Sequence, residues 1–216
     1  MKKNKRNGTL IFMVAIMMVA IGGCKNWVEV NGVKWATRNV DKRTASGFAA
    51  DPSDRGMFYQ WNREVGWVWK EESENLWFWD NKNKTLVLNE NQWNPTGDDS
   101  PNWTERVCPK GWRLPTFIEI KSLIGSGSFE GTRKGVNGTY FVGDGNGKNN
   151  KLLFFPFGTL DSIGKIHGIK DYGNIWGEEA YNMGYHFGTA SYAQDKKNNS
   201  MGFCIRCVKE IKKEEK

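Results

Sequence analysis

The chain is expected to fold as an α+β domain, rich in β-strand and in loops, with one clear helix. Three observations carry this expectation. Twelve Phe and eleven Trp supply bulky core material, and twenty-five Gly among 216 residues imply many turns. Few segments show sustained helical periodicity, whereas several alternate as half-buried strands do. Only the segment after Pro115 combines a helix start, an apolar helical face and a glycine stop.

The N-terminus reads as an address. Lys2, Lys3, Lys5 and Arg6 precede an apolar run from Leu10 to Ile21, and Gly22-Gly23 lead into Cys24. This is the layout of a bacterial secretion signal. The run is shorter than the roughly 20 residues of a membrane span. The small pair before Cys24 resembles a lipobox, in which the cysteine is diacylated and residues 1–23 are removed. An ordinary signal peptide with an incidental cysteine is the alternative. The lipoprotein reading gives a lipidated Cys24, a tether over 24–26, a domain over 27–209 and a charged tail over 210–216. Removing the leader takes away four basic residues and no acidic one. The balance of Lys and Arg to Asp and Glu falls from 31 against 24 to 27 against 24. The basic pI is therefore largely a property of the leader, and no nucleic-acid partner is expected, since that needs a clustered basic face. About 190 residues remain, enough for one domain with a real core.

Trp27-Val28-Glu29-Val30 and Val33-Lys34-Trp35-Ala36 flank Asn31-Gly32 and read as a hairpin, because both turn positions tolerate positive φ. Gly56 to Trp61 reads as a strand. Trp67 and Trp69 share one face of a strand, and Trp77 and Trp79 share one face of the next. Paired as a hairpin, they are expected to form a cross-strand aromatic ladder. The polar residues 81–103 read as a long loop. Thr116-x-x-Glu119 is a capping-box signature, with Phe117, Ile120, Leu123 and Ile124 on one helical face and Gly125 as the stop. Gly125 to Gly138 and Gly143 to Asn150 read as turns. Leu152 to Phe155 reads as a buried strand. Tyr181, Met183, Tyr185 and Phe187 alternate as a strand should, and Met201 to Val208 reads as a closing strand.

Four segments in order carry a family resemblance. They are Val30 to Val40, Gly56 to Trp61, Cys108-Pro109-Lys110-Gly111-Trp112-Arg113-Leu114-Pro115-Thr116, and Gly202 to Val208. Over residues 27–209 the chain resembles the Fibrobacter succinogenes major paralogous domain, found in secreted proteins and lipoproteins of the Bacteroidetes. The resemblance implies a C-type-lectin-like fold with terminal strands paired, one or two helices and long loops. It also implies a disulfide between Cys108 and Cys207, which export permits. Cys204 is then an odd thiol, of opposite strand parity to Cys207. The resemblance brings no general enzymatic activity. Two departures stand out: Ile175-Trp176-Gly177-Glu178 replaces a Tyr-Trp-Ser-Ser-like stretch, and Cys204 sits where a small or apolar residue is common.

The four indoles Trp67, Trp69, Trp77 and Trp79 are the best binding residues, since indole faces stack on flat apolar ligands. Filling the core is the other reading of them. Asn94, Asp98 and Asp99 offer polar groups in a loop beside them. Asp144 to Asn150 faintly resembles a calcium loop, but Lys148 is wrong for a ligand and no Glu closes it. The Glu-Pro-Asn, Gln-Pro-Asp and Trp-Asn-Asp signatures of sugar-binding lectins are missing. No cofactor is expected, calcium being the only one the loops suggest, and no metal ligands are assigned. His167 and His186 have no nucleophile at recognisable spacing, and Glu178-Glu179 would point apart on a strand. Asp161-Ser162-Ile163 resembles a short O-glycosylation signal, a tripeptide that arises readily by chance.

The expectation is a non-enzymatic lipoprotein of the outer membrane, periplasmic or surface-facing. It would act as a binding or adhesion module for a glycan or protein ligand. An accessory subunit of a surface or fimbrial assembly is the alternative. A cysteine-dependent oxidoreductase of the formylglycine-generating branch is a further one, and it needs reactive cysteines in a cleft.

Overall fold

The computed structural model describes residues 26–89, 93, 107–144, 151–178 and 200–210, and the backbone of 183–188 and 194–196. Cys24, Asn94, Asp98, Asp99, the run 145–150 and the tail beyond 210 lie outside the described residues.

Strands β1 (Trp27–Val30) and β2 (Val33–Ala36) form the expected hairpin, with Asn31 at φ 49° and Gly32 at φ 77°. Asp144 fixes this turn. One carboxylate oxygen accepts the Asn31 N–H at 2.8 Å and the other the Gly32 N–H at 2.9 Å. Next come β3 (Phe58–Gln60), β4 (Trp67–Lys70), β5 (Asn75–Asp80), β6 (Thr85–Leu88) and β7 (Trp112–Arg113). Helix α1 (Phe117–Gly125) follows, then β8 (Ser128–Arg133), β9 (Val136–Val142), β10 (Leu152–Pro156), β11 (Thr159–Leu160) and β12 (Ile166–His167). The chain closes with β13 (Tyr172–Trp176), β14 (Met183–Gly188), β15 (Gln194–Lys196), β16 (Gly202–Cys204) and β17 (Val208–Lys209).

Among the described residues three open sheets and the helix Phe117–Gly125 result, so the molecule is β-rich. The first has the order β1-β2-β17-β7, which pairs the N-terminal and C-terminal strands at Trp35 and Val208. The second is β10-β9-β8. The third runs β15-β14-β13-β16-β3-β4-β5-β6, with the β11–β12 hairpin joined to β16. The S–S bond of 2.05 Å between Cys108 and Cys207 ties the segment before β7 to β17.

Alternation along residues 203–208 divides the core. Phe203, Ile205 and Cys207 enter one apolar cluster, with Tyr59, Trp112 and Trp176. Cys204 and Val208 enter the other, with Trp35, Phe155 and the helix residues Ile120 and Leu123. Period-two geometry thus sends the two neighbouring cysteines to opposite sides, as expected. Arg206 also lies on the Cys204 side and is 0% exposed. Its Nε donates to Asn39 Oδ1 at 2.7 Å, and its terminal nitrogens donate to the carbonyls of Ala36 and Phe154, each at 3.0 Å. The guanidinium lies 4.2 Å from the Phe155 ring centre. Burial pushes its pKa down to about 9, so it is still charged at neutral pH.

The capping box forms as the sequence predicts: the Glu119 N–H donates to Thr116 Oγ1, and Glu119 Oε2 accepts the Thr116 N–H. Arg113 forks onto the same carboxylate at 2.6 and 2.8 Å. Burial by itself would raise the Glu119 carboxyl, but the bonds from Arg113 and Thr116 outweigh it and hold the pKa below the ordinary 4.5. A carboxylate whose folded pKa is depressed stabilises the fold fully above its unfolded value and loses that contribution as pH falls through the folded one. Stability is therefore expected to be level above pH 4.5 and to decline below it. Denaturant midpoints across an acid series should show Glu119→Gln less stable at neutral pH and flatter in acid.

Four expectations need correction. Residues 81–103 are not all loop, because Thr85–Leu88 form β6 against β5. Gly125 to Gly138 is not a run of turns, because β8 and β9 pair through a tight Lys134-Gly135 turn with φ 50° and 80°. Met201 to Val208 is not one strand: it splits into β16 and β17, which serve different sheets. The tryptophan ladder is absent. Trp67 stands opposite Phe78 and Trp69 opposite Leu76, while Trp77 stands opposite Val68. The two tryptophan pairs therefore occupy opposite faces of the sheet.

Candidate functional site

The two faces of the β4–β5–β6 meander have different fates. Trp67 is only 2% exposed, packed edge-on against Phe78 at 5.8 Å and Trp93 at 5.1 Å. It is core, and its place in the expected contact surface is corrected accordingly. Trp69, one period outward on the same face, is half-buried and lines surface cavities. Trp77 and Trp79 lie on the other face. The Lys70 ammonium sits 4.2 Å from the Trp77 ring centre, and Trp79 packs on the core cluster of Tyr59, Trp112 and Trp176. The indole N–H groups of Trp77 and Trp79 are buried with no acceptor among the described residues. Of the four indoles, Trp69 is the one that lines the two cavities on this face.

Two surface cavities meet at Trp69. One measures about 650 Å³ and the other about 580 Å³, and they share Trp69, Glu71 and Ile166. The larger runs between the β5–β6 side, with Leu76 and Leu88, and the β11–β12 side, with Ile163 and Ile169. The smaller is more polar and holds Arg43, Asp54 and Arg55. Arg55 is fixed by donating through Nε to the Phe157 carbonyl, and its NH1 lies 3.6 Å from Glu71 Oε1. Glu71 therefore marks the junction of the two cavities.

The isoleucine wall is held by Asp161. Its Oδ1 accepts the N–H groups of Ile163 at 3.0 Å and Lys165 at 2.9 Å, and its Oδ2 lies 2.8 Å from His167 Nε2. Burial would raise the Asp161 carboxyl, but these bonds prevail and hold it below the usual range. Gly164, at φ 80°, lets the turn lie directly on Leu76 and the Trp93 ring, where a Cβ would meet Leu76 at 2.8 Å. The Trp93 indole Nε1–H donates to the Ser162 carbonyl at 2.8 Å and locks the turn from below. A ring of local constraints thus presents Ile163, which is 75% exposed, at the rim.

Other chemistry is less well served. Cys204 is buried, and desolvation pushes its thiol pKa up to about 12. Cys108 and Cys207 are joined. His167 faces Asp161, with its Nε2 2.8 Å from Oδ2. Among the described residues no group of three metal-ligating side chains occurs. Asp144, the first residue of the calcium-like run, spends both oxygens on the hairpin turn. A cavity of about 670 Å³ beside the disulfide is lined by Lys110, Arg113, Glu178 and Glu210, of which Arg113 forks onto Glu119 and lies 4.0 Å from Glu178. No described helix is long and apolar enough to cross a membrane.

The Trp69 groove was only partly legible in the sequence. Trp69 was among the expected residues, whereas Glu71, Ile163 and Ile166 were not. Their one signal is an exposed isoleucine inside a turn held by Asp161 and Gly164. The chain matches no family model, no curated protein and no solved structure.

Proposed function

We propose that the chain is a lipid-anchored, extracytoplasmic binding module of the C-type-lectin-like major paralogous type, which engages a ligand at the Trp69 groove. The observation that carries the reading is the half-buried indole at the junction of two adjoining cavities on a disulfide-closed scaffold. A partly exposed Trp in a concave site, with a few polar groups around it, is how binding sites combine apolar contact with orientation. The pairing of β17 with β2 and the Cys108–Cys207 bridge support the C-type-lectin-like assignment. The basic start, the apolar run and Gly22-Gly23-Cys24 support an outer-membrane lipoprotein. The accessory-subunit alternative would use the same groove on a neighbouring protein.

The test is a broad array of glycans and matrix proteins, probed with the mature chain carrying Cys24→Ser, with calcium and with chelator. All described elements lie within 26–210, so that chain carries the whole described fold. A reproducible hit, lost in Trp69→Ala and retained in chelator, is expected. A blank array from folded protein would overturn the binding reading.

The oxidoreductase alternative predicts a fast-reacting thiol. A buried thiol with its pKa near 12 is instead expected to resist Ellman's reagent in the native Cys24→Ser protein. One thiol should then react on unfolding. Labelling within seconds under native conditions would restore the enzyme reading.

A further inference from the structure

The tip of the β4–β5 hairpin is Glu71-Glu72-Ser73-Glu74, and all four residues are exposed. From Cys24 onward the chain carries a net positive charge, so three carboxylates in four residues reverse the local sign. Glu71 and Glu74 both line the larger cavity at Trp69. Among the described residues Lys165 is the single cation lining it, and Arg55 of the adjoining cavity lies 3.6 Å from Glu71, so Glu72 and Glu74 carry the excess of negative charge at the tip. Lys70 does not correct this, because it lies over Trp77 on the opposite face. Glu74 has no ion pair with another described residue. Across from the acidic rim stand Ile163, Ile166 and Ile169, with Leu76 between the walls.

We propose that this groove docks an extended basic segment of a partner protein. A Lys or Arg would lie over Trp69 and against Glu71 and Glu74, with aliphatic neighbours against Ile163 and Ile166. The inference rests on the Trp69 groove being the ligand site. Charge complementarity selects the occupant. A cation is attracted both by carboxylates and by an indole face. An aliphatic wall buries Leu, Ile or Val side chains. A neutral glycan could hydrogen-bond the carboxylates, but it brings no cation to meet them and no aliphatic side chain for the isoleucine wall.

The probe is an immobilised set of octapeptides alternating Lys or Arg with Leu, Ile or Val, beside matching Glu-containing and Gly-Ser sets. The mature Cys24→Ser chain should bind the basic-aliphatic set and not the acidic one. Charge reversal in Glu71→Lys/Glu74→Lys should weaken binding about tenfold, and Ile163→Asp should weaken it by a comparable factor. Glu130→Lys, at an exposed position outside the groove, should leave it unchanged. Melting temperatures of all variants confirm that they fold. Absence of binding to the basic set, or binding indifferent to the charge reversal, overturns the inference. A glycan hit lost in Trp69→Ala yet retained in Glu71→Lys/Glu74→Lys overturns it too, while leaving the groove as the ligand site. A hit that no groove substitution affects removes both readings.

Discussion

Cys108→Ser or Cys207→Ser is expected to lower stability by about 4–5 kcal/mol in the chain-entropy account of cross-links. The bridge closes a sequence separation of 99 residues, which puts it near the upper end of that scale. Its place in the fold adds to the effect. Cys207 is fully buried, and its carbonyl accepts the Ala36 N–H at 2.9 Å, where the terminal strands meet. A serine there would bury a hydroxyl among Trp112, Trp176 and Phe203. For a domain of about 190 residues, each kcal/mol moves the melting temperature by roughly 2–4 °C. A fall of roughly 8–20 °C is therefore expected on reduction or substitution. Melting with and without reductant measures it. A difference of under about 3 °C would mean that the bridge does little for the fold.

Arg206→Met is expected to cost about 3 kcal/mol, with a midpoint shift readable in guanidinium unfolding. The substitution keeps the length of the stem and removes the buried charge, which by itself would be a gain. It also leaves Asn39 Oδ1 and the carbonyls of Ala36 and Phe154 without their donor. Each buried acceptor left unmade costs roughly 1–3 kcal/mol, so the loss prevails. Those three acceptors come from the β2 end, the loop after it and β10, so one side chain joins two sheets. Arg206→Lys should recover little, because an ammonium cannot copy the planar fork that reaches three acceptors. An unchanged midpoint in Arg206→Met would show that the fold does not need this junction. Because Arg206 adjoins Cys207, the double variant should depart from additivity.

The sequence was most readable where local chemistry decides structure. Asn31-Gly32 specifies its turn through positive φ, and Thr116 with Glu119 specifies the helix start. Tryptophan faces are not local, because they depend on register. A ladder of Trp69 against Trp77 needs a register one residue away from the one observed, in which Lys70 pairs with Asn75 around Glu71–Glu74. A one-residue slip sends every side chain to the other face. That single difference buries Trp67, separates Trp69 from Trp77 and Trp79, and leaves one indole at the groove. Strand β6 was hidden because its run Thr85-Leu86-Val87-Leu88 is flanked by asparagines. The β8–β9 hairpin was masked by glycines, one of which, Gly131, lies under the Tyr140 ring. The groove itself joins Trp69 to Ile163 and Ile166, which are far apart in sequence and meet only because β11 pairs with β16.

Fluorine NMR on the mature chain labelled with 5-fluorotryptophan, titrated with the strongest binder from the array, tests the central claim most directly. Single Trp→Phe variants assign the resonances. The Trp69 resonance is predicted to move with ligand while those of Trp77 and Trp79 stay in place. Movement of Trp77 and Trp79 with a silent Trp69 would put the ligand on the opposite face of the meander and contradict the account.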